Sequence, residues 1–261
     1  METAADLLLD LPASSPSLTL ESVADAGGAP SVDEVGEESA RIRLATGGWV
    51  QLERQAARAV YHLRAPRSAH ELVHPYLAPA AALVARWLGR DAFHAGAVVI
   101  RGGAWCVIGP KGSGKSTTMA CLAREGHAVV CDDLAVVDDG AVLAGPRCLD
   151  LREETAERLG GATPLGLVGA RERWRLPLGT VPVRVPLRGW IVLTWGDELA
   201  VESVPAAKRL PLLAAQRTLG LEPARASDFL AVGSLPMLEL RRPPGWAALS
   251  DGIKRLVDAA V

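Results

Sequence analysis

The chain has 261 residues, 49% of them hydrophobic and 22% charged, with a formal net charge of −2. That composition supports a substantial buried core, and no uncharged apolar run approaches the 18 residues that would suggest a membrane-crossing helix. The charge is uneven: residues 1–40 hold nine acidic and no basic residues, which leaves 28 Lys and Arg against 21 Asp and Glu in the rest, a balance of +7. Without an Arg/Lys stripe, that balance describes an ordinary surface, so neither nucleic acid nor membrane is expected as a partner. Cys106, Cys121, Cys131 and Cys148 show no paired metal spacing and read as reduced thiols. The N-terminus carries no basic leader with a cleavable apolar segment, and a cytoplasmic location is the expectation.

In chain order, residues 1–40 mix Ala, Ser, Pro, Gly and acids and read as a largely flexible acidic segment, with a short helix at Leu7-Leu8-Leu9 and a strand near Ser17–Glu21 as its ordered parts. Deleting residues 1–30 is therefore expected to leave catalysis on a short acceptor nearly intact. Ala40–Leu44, Trp49–Leu52 and Ala59–Leu63 run apolar or alternate between turns, as in a small antiparallel sheet. Ala69 to Gly89 follows as a helix whose start Pro75 and Pro79 break or delay. His70 and His74 sit four apart there but lack a nearby third ligand, so no metal site is expected of them.

Next come two apolar runs, Ala97–Ile100 and Trp105–Ile108, split by Arg101-Gly102-Gly103-Ala104 as a hairpin. The second leads into Gly109-Pro110-Lys111-Gly112-Ser113-Gly114-Lys115-Ser116-Thr117, which matches G-x-x-x-x-G-K-[ST] between a strand and a helix over Ser116–Glu125. In that motif, backbone N–H groups and the helix N-terminus face phosphate oxygens. Lys115 would reach the β- and γ-phosphates of ATP, and the Ser116 hydroxyl would be a ligand of Mg²⁺. Ala128–Cys131 is a short buried strand that delivers Asp132 and Asp133 at its carboxyl end, where α/β sheets place their chemistry. Two carboxylates there can divide the work, one taking a proton from a hydroxyl and the other holding Mg²⁺. Leu134–Val137 and Ala141–Leu143 make a second hairpin around Asp138-Asp139-Gly140.

A His-Ala-Gly strand, a Gly-Gly hairpin, G-x-x-x-x-G-K-S, a helix ending in Gly126-His127 and an Asp-Asp pair before a hairpin resemble the catalytic domain of HPr kinase/phosphorylase and its kinase-like relatives. Some of those relatives act on ribosomally made peptides such as lasso-peptide precursors. The match is dense over residues 94–146 and looser to about residue 258. The resemblance implies a P-loop α/β fold with an HPr-kinase/phosphoenolpyruvate-carboxykinase-like mixed sheet and flanking helices, beside a small N-terminal β-rich module. It places His94, Lys115, Ser116, Asp132 and Asp133 on active-site positions, with Asp132 as catalytic base, and it implies homo-oligomers. His94 read from the sequence alone is a strand-entry residue bonded to a carbonyl; the resemblance sets it beside Asp132 instead. Leu149-Asp150-Leu151-Arg152 resembles the stretch that carries an acidic Mg²⁺ ligand, which nominates Asp150. The Gly-rich continuation tied to phosphorylase activity is replaced by Glu153-Glu154-Thr155, which favours a kinase over phosphorolysis.

Beyond residue 152 the elements are a helix over Arg152–Leu159, Pro-interrupted apolar stretches around Val181–Val185 and Trp190–Thr194, a central strand Gly189–Trp195, a helix Ala206–Gly220 with an early Pro211, a further helix Ala226–Val232, a strand Leu235–Leu240 and a closing helix Trp246–Ala260. By the resemblance, Arg173 or Arg175 neutralises charge on the transferred phosphoryl group; their alternative is an Arg-rich edge that discourages strand pairing. The division expected is 1–40 acidic segment, 41–90 β module with linking helix, and 91–261 catalytic domain. The function expected is transfer of the γ-phosphate of ATP to a hydroxyl, a serine of a protein or peptide precursor, with a small-molecule kinase and a non-catalytic ATP-binding scaffold as alternatives.

Overall fold

The computed structural model describes residues 4–10, 15–25, 27–169 and 171–260. Alternating apolar residues build the first sheet from β1 (Thr19–Ala24), β2 (Glu34–Val35), β3 (Ser39–Arg43), β4 (Trp49–Glu53) and β5 (Arg58–Leu63), in the order β1-β5-β4-β3-β2. β1 runs parallel to β5, and the remaining pairs are antiparallel. One face buries Ile42, Val50, Leu52 and Tyr61 against Leu72, Tyr76, Ala80 and Leu83 of the helical segment that follows.

That segment is shaped by two local signals. Ser68 and Glu71 form a capping box, in which the Ser68 side chain accepts from the Glu71 N–H and the Glu71 carboxylate from the Ser68 N–H, and this starts α1 (Ala69–Glu71). Pro75 then forces the preceding residue out of the helical region, and His74 has φ −153° and ψ 123°. Helix resumes as α2 (Leu77–Trp87).

The boundary expected at residue 40 falls inside β3, and strands β1 and β2 come from the segment read as largely flexible. Residues 1–3, 11–14 and 26 of that segment lie outside the described residues. Ala4 and Leu7 are buried against Val73 and Cys148, the Arg147 N–H donates to the Leu7 carbonyl at 2.8 Å, and Glu21 accepts from Arg58. Removal of residues 1–30 strips β1, one of the two strands paired with β5, and the cover of the turn that carries His74. Deletion is expected to cost about 3 kcal/mol or more and to lower Tm by roughly 5–10 °C, read by thermal unfolding of the full and shortened chains.

The central sheet has nine strands. In chain order the elements are β6 (Asp91–Phe93), β7 (Gly96–Ile100), β8 (Gly103–Ile108), α3 (Lys115–Arg124), β9 (Val129–Cys131), β10 (Ala135–Asp138), β11 (Ala141–Leu143), β12 (Cys148–Leu151), α4 (Glu153–Leu159), β13 (Thr163–Val168), β14 (Arg171–Pro177), β15 (Arg184–Trp195), β16 (Ala200–Ser203), α5 (Ala206–Ala214), α6 (Ala226–Ser234), β17 (Met237–Arg242) and α7 (Trp246–Ala259). Strands run β6-β10-β11-β15-β8-β7-β9, with β17 beside β15 and β16 beside β17, while β12-β14-β13 form a separate three-stranded sheet. β8 pairs antiparallel with β7 and parallel with β15, and β15 is parallel to β17. The sheet is mixed and the architecture is α/β.

Every residue of β8 is buried, because both faces of the sheet are covered. On one face Phe93, Trp190 and Val192 pack with Leu213 and Val232, and the Trp190 Nε1–H is satisfied by the Val232 carbonyl at 2.9 Å. On the other, Val107, Met119, Leu122, Ile191, Leu249 and Ile253 join α3 and α7 to the sheet.

Two expected elements differ. The two Pro-interrupted stretches are one long strand, β15, which absorbs Pro186 in its pairing with Ala141 and shifts register between Leu187 and Gly189. The helix expected to reach Gly220 stops at Ala214, where a tertiary contact overrides local propensity: the His94 N–H takes the Gln216 carbonyl at 2.7 Å and Phe93 bridges to Arg217. Among the described residues, no helix is long and apolar enough to cross a membrane.

Candidate active site

The site gathers at the carboxyl ends of β8 and β9. β8 ends in the glycine-rich loop, where Gly112 and Gly114 take φ of +88° and +87°, conformations open to glycine and costly for other residues. Gly114 is also the N-terminal cap of α3, so the unpaired N–H groups of the first helical turn open onto the loop. Lys115 Nζ donates to the carbonyls of Gly109 (2.8 Å) and Pro110 (3.3 Å), which ties the ammonium to the start of the loop. Burial lowers the Lys115 pKa, against the opposing pull of Asp133 and Asp132. Thr117, next along α3, faces Thr155 hydroxyl to hydroxyl at 3.3 Å.

In an extended strand, consecutive side chains point to opposite faces, so Asp132 and Asp133 would diverge if β9 simply continued. They do not. Asp133 has φ +61°, and the Leu134 N–H closes a tight turn onto the Asp132 carbonyl at 2.7 Å. Carboxylate oxygens of both residues lie within 4.8 Å of each other and of a ring nitrogen of His74. Asp133 sits in a sparsely populated backbone region, and the cost is of the kind that clusters at functional sites.

Asp132 is 6% exposed. Burial, then the neighbouring charge of Asp133, raises its pKa well above the ordinary carboxylate range. The Ser116 hydroxyl donates toward Asp132 Oδ2 at 3.5 Å. These two hard oxygen donors, one from the helix start and one from the strand end, are spaced to reach a single small cation such as Mg²⁺.

His94 lies against Asp133 rather than Asp132: its Nδ1–H donates to the Asp133 carbonyl at 3.2 Å, the carbonyl-bonded arrangement that the sequence alone suggested. Burial, then the Lys115 charge, lowers its pKa.

Asp150 corrects two of the sequence expectations. Its side chain has no exposed surface, and its oxygens accept from Arg175 Nε (3.0 Å), Arg175 Nη2 (3.3 Å) and Arg173 Nη1 (3.5 Å). Both oxygens are thus occupied, and Asp150 does not fit a Mg²⁺ ligand. Arg173 and Arg175 are correspondingly directed at Asp150 instead of at a transferred phosphoryl group. The reason is register: Asp150 on β12 stands directly opposite Arg175 on β14, and two buried guanidinium groups and a buried carboxylate require one another.

Arg175 also donates to the His74 carbonyl at 2.7 Å and the His70 carbonyl at 3.3 Å, which pins the Pro75 turn to β14. Asp150→Ala strands both guanidinium groups and is expected to cost about 3–5 kcal/mol, measured by denaturant unfolding.

The sequence reading set His74 aside. The structure brings it from the N-terminal half into the carboxylate cluster, 5% exposed, with Nε2 3.8 Å from Asp133 Oδ2 and 3.7 Å from Asp150 Oδ2. Pro75 was the signal, since it marks where the helix opens, but nothing local says what the opened turn meets. His70 points elsewhere, to Asp6 at 2.8 Å.

Trp195 and Arg242 were also missed. Trp195 Nε1 donates to the Gly112 carbonyl at 3.3 Å, and the Arg242 guanidinium lies 4.3 Å from the centre of the Trp195 ring. A side chain on Gly114 would meet that guanidinium at 2.8 Å. The ends of β15 and β17 therefore buttress the loop.

No protein-family model matches the chain, and no curated protein matches it in sequence. A solved structure of the Hpr(Ser) kinase/phosphatase from Coxiella burnetii is similar at 13% identity and a TM-score of 0.29, over 64% of this chain and 95% of that one. At that identity and superposition the likeness decides neither fold nor chemistry, which rest on the geometry of the chain itself.

Proposed function

We propose that the protein is an ATP- and Mg²⁺-dependent phosphotransferase that moves the γ-phosphate to a hydroxyl, a serine of a protein or ribosomally made peptide. The observation that carries this reading is the junction of Lys115 and Ser116 at the start of α3 with the buried Asp132 carboxylate, 3.5 Å from the Ser116 hydroxyl. The loop N–H groups and Lys115 hold and neutralise the phosphates. Asp132, whose raised pKa makes it a stronger base than an ordinary carboxylate, accepts the proton of the acceptor hydroxyl as its oxygen attacks the γ-phosphorus and the bond to the β-bridging oxygen breaks. Mg²⁺, when bound, offsets the charge that gathers on the β- and γ-oxygens. The resemblance of residues 94–146 to HPr kinase/phosphorylase supports the same assignment and is the ground for a seryl acceptor.

The contact between Ser116 and Asp132 favours a second division of labour, with Asp132 beside Ser116 at the cation and the more exposed Asp133 as base. ATP consumption with and without candidate peptides, in Asp132→Asn and Asp133→Asn, tests the reading. Acceptor-dependent turnover lost in one of the two variants supports it and names the base. Turnover that needs no acceptor and survives both variants rejects it.

A further inference from the structure

Phosphotransfer, as described, does not use His74. Its Nε2 is buried without a hydrogen-bond partner, which leaves a polar atom desolvated and uncompensated. The atom is aimed at carboxylates: Asp133 Oδ2 at 3.8 Å and Asp150 Oδ2 at 3.7 Å. Asp150 is already taken by two arginines, whereas Asp132 and Asp133 each offer an oxygen that lies, with a His74 ring nitrogen, within 4.8 Å of the others. Ligands about 2.1 Å from one metal stand roughly 3–3.5 Å apart, so small side-chain rotations close the gap.

We propose that His74, Asp132 and Asp133 form a binding site for one divalent first-row transition ion of the Mn²⁺, Co²⁺ or Zn²⁺ class. One imidazole and two carboxylates suit these ions, whereas Mg²⁺ takes oxygen donors almost throughout. The second shell is in place: Arg175 fixes the His74 backbone, and the positive φ of Asp133 turns its carboxylate toward the ring. The ion joins the N-terminal turn to the carboxylate pair, so its binding also stabilises the fold. The site shares Asp132 and Asp133 with the phosphotransferase reading but needs no nucleotide.

The test uses the full chain, stripped with a chelator and free of nucleotide, titrated with Co²⁺ and followed by visible absorption and thermal unfolding. The expected result is one equivalent of Co²⁺ bound below millimolar concentration with a rise in Tm. His74→Ala and Asp133→Asn each weaken binding at least tenfold, while His70→Ala binds as the unaltered chain does. Asp133→Asn alters the link between β9 and β10, outside the chain segment that carries His74, and decides the matter if His74→Ala fails to fold. Absence of binding below 1 mM, or equal binding by a folded His74→Ala, overturns the proposal. A chain that binds Co²⁺ in this way but never ATP keeps the site and rejects the phosphotransferase reading; ATP-dependent transfer with no Co²⁺ site does the reverse.

Discussion

Lys115→Ala is expected to lower kcat/KM for phosphotransfer by about 10³-fold or more, roughly 4 kcal/mol of lost transition-state stabilisation. The ammonium is half-buried and faces Asp132 and Asp133 across the site, so it acts in a medium where a charge weighs more than in water. The change removes two donations to loop carbonyls, at Gly109 and at Pro110, the latter keeping the Ser113 N–H at 3.1 Å, and Tm is expected to move little. Steady-state kinetics beside a thermal melt separates the two effects. An unchanged rate in a folded variant removes the loop from the mechanism.

Asp132→Asn is expected to cut transfer by about 10²–10⁴-fold while nucleotide binding is retained. The same substitution is expected to stabilise the protein near neutral pH. Burial and the Asp133 charge raise the folded pKa of Asp132 above the unfolded value near 3.9. Between those two pKa values the folded state holds more protons than the unfolded one, so stability falls as pH rises through the window. Asn carries no such penalty: its advantage is full above the raised pKa and vanishes below the unfolded one. Melting both proteins in chelator across that range checks the sign, and a variant less stable than the parent at neutral pH would contradict it.

Much of the candidate site was legible locally. Arg101–Ala104, Gly109–Ser116 and Asp138–Gly140 are short signals whose chemistry is fixed by neighbours in sequence, and the structure has a hairpin, a loop with a helix and a second hairpin at those places. Pro75 likewise announced a broken helix. What escaped was every pairing set by distant chain. Asp150 is flanked by the buried residues Leu149 and Leu151, a pattern that demands a partner for the acid, and the alternation in Arg171-Glu172-Arg173-Trp174-Arg175 supplies it, but only the register of β12 on β14 reveals which arginine. His74 meets Asp133 across 59 positions of chain, and Trp195 meets Gly112 across 83. Such contacts follow from how the sheet closes and leave little trace in local pattern.

The most direct measurement is mass spectrometry of peptide pools, including precursor peptides encoded beside this gene, incubated with the protein, Mg²⁺ and ATP. The expected result is a gain of one phosphoryl group on a serine or threonine that disappears with Asp132→Asn. ATP bound with no peptide shifted, or a shift that persists undiminished in Asp132→Asn, would contradict a peptide kinase built on Asp132.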